Sequence, residues 1–380
     1  MKHELQSASG YQAAGEMSYG ERLLHRLNLD GPLLVAVVLL CGMGLAILYG
    51  AAGQDIDVVY RQALRLALSF GVLLVVAQIS PQFLRLWTPW LFAAGLVLLM
   101  LTLSSGHIGR GAQRWLSLGV VRFQPSEIMK IAVPMMVGWY LHDKPLPPDW
   151  RQLPVLGLIV AVPVLLVGVQ PDLGTAMLIM SAGAFGIFLS GLRWRVIIML
   201  FLLLAVAAPI LWHFMHTYQR ERVLTFLNPQ RDPLGAGYHI IQSEIAIGSG
   251  GVFGKGWLHG TQSQLDFLPE SSTDFIFAVL GEEFGFMGVL ALIGIYGFIV
   301  GRSLFIAMRA QDTFSRLSAG SLSMAFFTYV FINSGMVSGI VPVVGVPLPL
   351  ISYGGTSMVT LMAGFGILMS VHSHRKLVSS

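Results

Sequence analysis

Charged residues are scarce in this chain of 380 amino acids. Only 11% of the residues are Asp, Glu, Lys or Arg, while 55% are hydrophobic; a soluble domain carries about 25% charged residues. The shortage of charge excludes an ordinary soluble globular protein. Apolar stretches of about 20 residues, long enough to cross a bilayer as a helix, recur along the sequence. We therefore predict a polytopic membrane protein.

Cysteine and metal-binding patterns are also almost absent. The single cysteine, Cys41, lies in the first apolar run, so no disulfide can form within the chain. We interpret it as a small buried hydrophobe. The ten histidines have neither HxxxH nor HExxH spacing, and the sequence predicts no metal site built from histidine. The net charge of +4 is interpreted as a signal for topology and lipid headgroups, not for nucleic acid.

Hydropathy predicts an all-α membrane protein with about ten transmembrane helices. The first apolar run is too long for a signal peptide, so we expect it to remain as an anchor. The eighth span is too long for one straight helix, and Gly281, Gly285 and Gly288 mark where it can bend. The predicted spans are residues 32–52, 62–80, 86–104, 126–141, 154–169, 174–191, 196–216, 274–308, 317–338 and 355–373.

The predicted organisation is a cytoplasmic tail over 1–31, a membrane domain over 32–373 and a second cytoplasmic tail over 374–380. Lys and Arg are in modest excess in the segments that this arrangement places inside, which favours cytoplasmic N- and C-termini. The connection 217–273, between the seventh and eighth spans, is then a long extracytoplasmic loop. Its apolar residues favour a loop that folds back on the membrane surface over a disordered linker.

Cations are concentrated in two of the predicted outer segments, about 105–125 and 217–273. We interpret them as a surface for an anionic ligand, because arginine offers phosphate a planar fork of donors. The alternative is a solvated loop that contacts lipid headgroups. The candidate substrate-binding residues are Arg114, Arg122, Arg220 and Arg222, together with Trp115.

Acidic residues inside apolar segments are the strongest functional signal, because a charge at such depth is costly. Asp274 lies where the long loop meets the eighth span, and a general base at this boundary would reach a polar head group. The alternative is a cap or first-turn carboxylate that interacts with the helix dipole. For the adjacent Glu282 and Glu283 we expect an interhelical polar contact, with at most one facing the cavity of Asp274.

Glu127 and Lys130 lie at i and i+3 at the start of the fourth span, where they can pair on one helix face. The pair is either a structural ion pair or the wall of a polar pocket. Asp172 lies in a tight turn between two spans, and we expect a turn or cap residue. The proline-rich run 341–355 cannot form a regular helix, so we expect it to frame the same outward cavity.

Taken together, these motifs resemble the SEDS (shape, elongation, division, sporulation) family of peptidoglycan glycosyltransferases, over about residues 30–376. The GTQSQL form, with GAQRW and GQDI, is similar to the elongation branch of the family more than to the division branch. The motifs that carry the resemblance are GQDI (53–56), GAQRWLSLG (111–119), RFQPSEIMKIAVP (122–134), QPDLGT (170–175), DPLGAGYHIIQS (232–243), GKGWLHGTQSQLDFLPE (254–270), TDFIFAVLGEE (273–283) and GVPLPLISYGG (345–355).

The resemblance implies polymerisation of lipid II during cell elongation, outside the bacterial cytoplasmic (inner) membrane. It also implies a complex with a class B penicillin-binding protein transpeptidase and other elongation-complex membrane proteins. Asp274 then corresponds to the essential aspartate of the family, and Glu127 and Lys130 correspond to the polar pair of its central cavity. Arg114 and Arg122 correspond to nearby basic positions.

The chemistry of lipid II predicts an inverting transfer, because its sugar is joined α to a polyprenyl pyrophosphate and the product linkage is β. Asp274 is the candidate base for the acceptor hydroxyl. Cations would stabilise the departing pyrophosphate, and a divalent ion (Mg or Mn) is left open. Two alternatives remain: a lipid II flippase and a non-catalytic scaffold for the transpeptidase. A flippase should show charges accessible from both faces and paired broken helices, whereas the chemically competent residues here crowd the outer half.

Overall fold

The structure, a computed structural model, is almost entirely helical over the part of the chain that it describes. The predicted tails fall largely outside that part, so their placement stays a prediction. The described residues are 26–105, 107–109, 112–118, 121–215, 220–221, 224–226, 228, 230, 236–265, 267–268 and 270–374.

The order of the elements follows the predicted spans closely. The first half of the chain contains α1 (Gly31–Ala51), α2 (Ile56–Ala77), α3 (Pro81–Ser105), β1 (His107–Gly109), β2 (Ala112–Leu118), β3 (Val121–Phe123), α4 (Ser126–Leu141), α5 (Leu153–Val169) and α6 (Leu173–Leu189). The second half contains α7 (Trp194–Phe214), α8 (Ala236–Gly250), α9 (Thr261–Gln264), α10 (Ile276–Met308), α11 (Thr313–Val337) and α12 (Thr356–Ser373).

Each of the ten predicted spans corresponds to a helix, which confirms the predicted all-α membrane fold. The helices α1, α2, α3, α10, α11 and α12 are long and apolar enough to cross a membrane by length and composition. The helices α5, α6 and the first part of α7 are shorter but also apolar. The remaining span, α4, has 16 residues and carries Glu127 and Lys130 in its first turns.

Hydropathy missed a small antiparallel sheet between α3 and α4. Its strands are ordered β1-β2-β3, with Trp115 opposite His107 and Arg122 opposite Ser117. Strands of three and seven residues are too short to give a clear alternating pattern in a sequence. The sheet places Arg114 and Arg122 on neighbouring strands of one predicted outer segment.

Gly285 interrupts α10, at one of the three glycines where the sequence predicts a bend. Its φ of 63° and ψ of −162° lie in a region that is essentially open to glycine alone. An interruption this deep in a membrane helix leaves backbone groups without their helical partners, and other protein groups must satisfy them.

The segment 251–256 supplies those partners. In an unbroken helix, the carbonyls of Glu282 and Glu283 would accept from the N–H groups of the residues four positions later. Here the carbonyls and those N–H groups bond to residues of the segment 251–256 instead. The exchanged bonds are Lys255 N–H to Glu282 O and Gly256 N–H to Glu283 O, both 3.0 Å, and Phe286 N–H to Gly251 O and Met287 N–H to Val252 O, at 2.9 and 3.1 Å. We call this arrangement the α10 interlock.

Three helices meet at the carboxylate of Asp30, at the other end of α10. Asp30 caps α1, accepting from Leu33 N–H at 3.0 Å, and it accepts two hydrogen bonds from Arg302 of α10, at 3.0 and 2.6 Å. His372 Nε2 of α12 lies 3.3 Å from the same carboxylate. Burial by itself raises the pKa of Asp30, but the bonds from Arg302 and Leu33 outweigh it and bring the pKa below its usual value.

We expect Asp30→Asn to lower the free energy of unfolding at pH 7 by about 1.5–3 kcal/mol, the usual worth of hydrogen bonds to a charged group. Because the folded-state pKa is lowered, this stabilisation is complete above the ordinary value of 3.8 and is lost as pH falls through the folded value. Thermal unfolding of the purified protein at pH 7 and in acid should show a gap between wild type and variant that closes in acid. A variant as stable as wild type at pH 7 would contradict the role.

Candidate active site

Asp274 lies directly before α10, and a side chain of α11 fixes its backbone. The amide of Asn333 donates to Asp274 O at 2.8 Å and to Val346 O at 2.7 Å. Asn333 is completely buried, so these bonds are shielded from competing water. One side chain thus ties Asp274 to the irregular segment between α11 and α12.

The same irregular segment also holds the two residues before Asp274. Ser352 Oγ donates to Thr273 O at 2.5 Å, and Tyr353 N–H donates to Ser272 O at 2.8 Å. Because these bonds use the main chain, they fix the position of Asp274 without using its carboxylate. The contacts place the proline-rich run beside Asp274, whereas the outward cavity that it is expected to frame stays a prediction.

Asp274 is neither the N-cap residue of α10 nor part of its first turn; an interaction with the helix dipole stays a prediction. The helix begins at Ile276, and its N-cap residue, Phe275, makes no side-chain capping hydrogen bond. The turn that precedes the helix continues through Phe275, whose N–H donates to Glu270 O at 3.3 Å. The helix therefore starts two residues later than the sequence predicts.

Two neighbours shape the surroundings of Asp274. Gly345 lies beside the carboxylate, and a Cβ at that position would come within 3.4 Å of Asp274 Oδ2. The ring of His239, on α8, stacks on Phe275 with ring centroids 5.5 Å apart and an angle of 18°. Burial lowers the pKa of His239, and the nearby Glu270 carboxylate partly opposes this shift.

Glu127 and Lys130 form the predicted ion pair inside the helical bundle. Lys130 Nζ lies 2.7 Å from Glu127 Oε1, and both side chains are buried. Lys130 Nζ also lies 5.1 Å from the centre of the Tyr329 ring. Among the described residues, no hydrogen-bond partner is present for Glu127 Oε2, so one carboxylate oxygen remains available to a ligand or a water molecule.

The helix α11 connects this ion pair to Asp274. Tyr329 and Asn333 are four residues apart and therefore share one helix face; the first faces Lys130 and the second holds the Asp274 backbone. Tyr329 also lines two small neighbouring cavities, one that Lys130 lines and one that Ser352 lines. The two predicted catalytic groups thus belong to one polar region, with Tyr329 between them.

Arg114 lies on β2 and binds the turn between α5 and α6. Its guanidinium donates to Gln170 O at 3.3 Å and to Pro171 O at 2.5 Å, and it lies 3.9 Å from Asp172 Oδ1. Asp172 caps α6 through Thr175 N–H at 3.2 Å, as the sequence predicts. Two of the donor groups of Arg114 are therefore already bonded within the protein.

The other predicted substrate-binding residues are placed less completely. The guanidinium of Arg220 donates to Trp212 O at 2.9 Å and to His213 O, which satisfies carbonyls at the end of α7. Trp115 is half-buried in β2. Arg122 lies in β3, with its side chain outside the described residues, and Arg222 lies wholly outside them. Substrate binding by this set stays a prediction.

Glu282 and Glu283 have different surroundings. Glu282 is fully buried, and its carboxylate accepts from Lys255 Nζ, Thr261 N–H and Gln262 N–H at 2.8, 2.8 and 3.0 Å. It therefore anchors the segment that precedes Asp274. Glu283 faces α1, where a Cβ at Gly50 would come within 2.8 Å of either carboxylate oxygen. This contact with α1 is one of packing, and the interhelical polar contact that the sequence predicts stays a prediction.

A divalent cation stays a prediction. Within the described part of the chain, no group of three or more His, Cys, Asp or Glu side chains could hold a metal ion. An ion carried by the phosphate oxygens of a substrate needs fewer protein ligands.

The chain was compared with known proteins. Residues 31–377 match the FtsW/RodA/SpoVE family, described as "Cell cycle protein". The chain belongs to this family. It is 52% identical to the peptidoglycan glycosyltransferase MrdB of Escherichia coli over 355 residues, which cover 93% of this chain and 96% of that protein. It is 39% identical to the MrdB of Helicobacter pylori over 83% of each chain.

Solved structures show the same fold. One is a peptidoglycan synthase complex that coordinates polymerization and crosslinking; its matching chain is 34% identical, with a TM-score of 0.79 over 92% of this chain and 98% of that chain. Another is the rod shape determining protein RodA of Thermus thermophilus, 28% identical, with a TM-score of 0.69 over 91% of this chain and 98% of that one.

These relatives confirm the function class that the sequence predicts, a peptidoglycan glycosyltransferase. A probable FtsW from Trichlorobacter lovleyi is 36% identical, less than the 52% of the Escherichia coli MrdB, and this difference agrees with the elongation branch. The protein is a multi-pass protein of the bacterial inner membrane.

Sequence reasoning did not single out the side chains that position the site. Asn333, Tyr329 and Gln62 lie inside or at the edge of predicted spans, and a polar side chain inside an apolar run is itself a signal. Ser352 could not be recognised in the same way, because it lies in an irregular segment where serine is common.

Proposed function

We propose that the chain polymerises lipid II into glycan strands by inverting transfer, with Asp274 as the general base. The observation that carries the proposal is that the main chain at Asp274, directly before α10, is held by the buried side chain of Asn333. A base needs a fixed position relative to the proton that it takes, and these main-chain bonds support such a position for residue 274.

In the proposed reaction, Asp274 takes the proton from the acceptor GlcNAc 4-hydroxyl as that oxygen attacks C1 of the donor MurNAc. The bond from C1 to the pyrophosphate oxygen breaks as the new glycosidic bond forms, so the configuration inverts. The pyrophosphate leaves on its prenyl carrier, and the negative charge that develops on it calls for fixed positive charge nearby.

The Glu127–Lys130 pair supports the same polar region. Lys130 is held at 2.7 Å from Glu127, and its ammonium contributes positive charge inside the bundle. Glu127 keeps one oxygen without a protein partner among the described residues, which suits a contact with a sugar hydroxyl. We assign the pair to substrate positioning, with Glu127 the second candidate for the base.

The proposed orientation places the active site at the periplasmic face and both termini in the cytoplasm, with the membrane domain over 32–373. The modest excess of Lys and Arg in the predicted inner segments supports this orientation. It also places Asp274 at the end of α10 that faces lipid II after its export.

We further propose that the chain works with a class B penicillin-binding protein transpeptidase. The similarity to a chain of a peptidoglycan synthase complex that coordinates polymerization and crosslinking supports this partner. Other membrane proteins of the elongation complex are expected around the pair, and membrane lipids surround the bundle. No nucleic acid is expected.

A lipid II flippase is the second candidate, and a scaffold for the transpeptidase is the third. A flippase should have paired broken helices, whereas α10 is the one described helix whose interior contains a residue with non-helical backbone angles. A scaffold would have no need to fix a carboxylate as Asp274 is fixed. Both observations favour the enzyme.

The test uses proteoliposomes that contain the purified chain and its transpeptidase, with lipid II in the membrane. An enzyme produces long glycan strands, detected on a gel after labelling, when lipid II is present in the leaflet that faces the active site. A flippase instead moves labelled lipid II between leaflets without making polymer. Movement without polymer would reject the proposal, and neither activity would favour the scaffold.

A further inference from the structure

The arginines predicted to hold the leaving pyrophosphate are partly engaged elsewhere. Arg114 donates to two carbonyl groups of the α5–α6 turn, and Arg220 donates to two carbonyl groups of α7. A guanidinium that already satisfies backbone carbonyls offers fewer donors to a ligand. A leaving pyrophosphate is therefore better served by a cation of the outer half whose donors are not engaged.

Arg65 of α2 is such a cation. Its guanidinium carbon lies 4.5 Å from the centre of the Tyr353 ring, and its side chain is half-buried. Among the described residues, no carboxylate or carbonyl group accepts a hydrogen bond from it. An arginine held by stacking on a ring keeps its planar fork of donors for another partner.

The contacts of Tyr353 connect Arg65 to the catalytic aspartate. Tyr353 N–H donates to Ser272 O at 2.8 Å, two residues before Asp274. Gln62, one turn before Arg65 on α2, donates to Ser352 O at 3.0 Å and accepts from Gly354 N–H at 3.4 Å. Arg65 thus contacts the segment 352–354, which also holds the backbone of the residues before Asp274.

The space beside Arg65 is kept open by glycine. A Cβ at Gly355 would come within 3.7 Å of Arg65 Cδ and Nε, and at Gly354 a Cβ would have no atom within 4 Å. A ligand can therefore approach the donors of Arg65 past these two glycines.

The position of Arg65 along α2 selects the part of the substrate that it can contact. The predicted span begins at residue 62, so Arg65 lies one turn inside the apolar region. In a lipid-linked sugar, the pyrophosphate joins the prenyl chain to the sugar and is the charged group nearest to the membrane. The carboxylates of the stem peptide extend farther out into water.

We propose that Arg65 binds the pyrophosphate of the lipid-linked substrate, with Tyr353 as the residue that positions it. This inference rests on the proposed polymerase function. Arg65 supplies a forked pair of donors to the phosphate oxygens. The Tyr353 ring holds the guanidinium beside the segment that fixes the backbone before Asp274. It assigns a phosphate-binding role to α2, outside the two loops where the sequence concentrates cations.

The experiment measures KM and kcat for lipid II with wild type, Arg65→Gln and Arg65→Lys, in complex with the transpeptidase. We expect Arg65→Gln to raise KM by about 10- to 100-fold, the range for a lost charge-assisted hydrogen bond. Arg65→Lys keeps the charge but loses the fork, and its KM should lie between the two. Arg309→Gln is the matched control. The guanidinium carbon of Arg309 also lies over an aromatic ring, 4.0 Å from the centre of Phe305, but at the end of α10 that is far from Asp274.

A second pair of variants tests the stacking. Tyr353→Phe keeps the ring and serves as the reference for stacking, and Tyr353→Leu should raise KM several-fold above the value for Tyr353→Phe. The pair also keeps the inference testable if Arg65→Gln fails to fold. An equal KM for Tyr353→Leu and Tyr353→Phe would reject the positioning role of the ring.

Binding of farnesyl pyrophosphate separates this inference from the proposed function. Wild type should bind it more tightly than Arg65→Gln by the same factor as the change in KM, while farnesol should bind both equally. If wild type makes no glycan but this difference in binding remains, the polymerase proposal fails and the pyrophosphate site stands. If wild type makes glycan and Arg65→Gln changes neither KM nor binding, the site is rejected and the polymerase stands.

Discussion

Asp274→Asn abolishes glycan polymerisation and leaves the protein folded. We expect a loss of about 10²- to 10⁴-fold, the range that a positioned general base contributes. Asparagine has nearly the same shape as aspartate but cannot take a proton at neutral pH. Asn333, Ser352 and Tyr353 donate to backbone oxygens of residues 272–274. Because none of these bonds uses the Asp274 carboxylate, they persist in the variant.

The measurement is lipid II polymerisation by the purified complex, with thermal unfolding as the test of folding. Asp57→Asn is the control, because Asp57 is an exposed carboxylate at the start of α2, at the same predicted face of the membrane. It should retain wild-type activity. If Asp274→Asn is folded and fully active, the base lies elsewhere, and Glu127→Gln becomes the next variant to assay.

The fold follows from the sequence to the extent that hydropathy determines it. Ten apolar runs predict ten helices, because a bilayer demands that each crossing segment satisfy its own backbone groups. The sheet between α3 and α4 escaped prediction, since its short strands depend on pairing with each other. The glycines of α10 predicted a bend, but the segment that fills the bend lies 30 residues earlier and has no signal of its own.

The site was predictable in its chemistry but not in its contacts. A costly carboxylate at the membrane boundary indicated Asp274, and spacing indicated the Glu127–Lys130 pair that the structure contains. Asp274 is not the N-cap residue that the sequence allowed for, because the preceding turn extends through Phe275. Charge alone could not show that Arg114 binds backbone carbonyls, whereas the donors of Arg65 have no partner among the described residues.

The second large effect is expected at the α10 interlock, where Glu282 is the central side chain. Glu282 is completely buried, and its carboxylate accepts from Lys255 Nζ at 2.8 Å and from two backbone N–H groups. Glu282→Ala removes the acceptor of these three groups and of Thr261 Oγ1, which donates to it at 3.0 Å; Lys255 Nζ keeps only its bond to Thr261 Oγ1. Breaking a buried ion pair from one side costs about 3–5 kcal/mol, and we expect the lower part of that range because Lys255 keeps some contact with water.

The effect on function should follow from the position of the interlock. The segment that Glu282 anchors leads through α9 to Asp274, so its release should also lower polymerisation. Gly254 lets this segment approach α10 closely, since a Cβ there would lie 2.1 Å from Glu283 O. Thermal unfolding and polymerisation are measured together on Glu282→Ala, Lys255→Met and the double variant.

A double-mutant cycle decides whether the pair acts as a unit. Once Glu282 is replaced by alanine, Lys255→Met removes an ammonium that has already lost its carboxylate partner and keeps only Thr261 Oγ1, so the double variant should be less destabilised than the sum of the single variants. A coupling of about 1–3 kcal/mol is expected for residues in direct contact. Additive losses would mean that Glu282 acts through the backbone N–H groups of Thr261 and Gln262 alone, with Lys255 serving only as a solvated charge at the edge of the interlock.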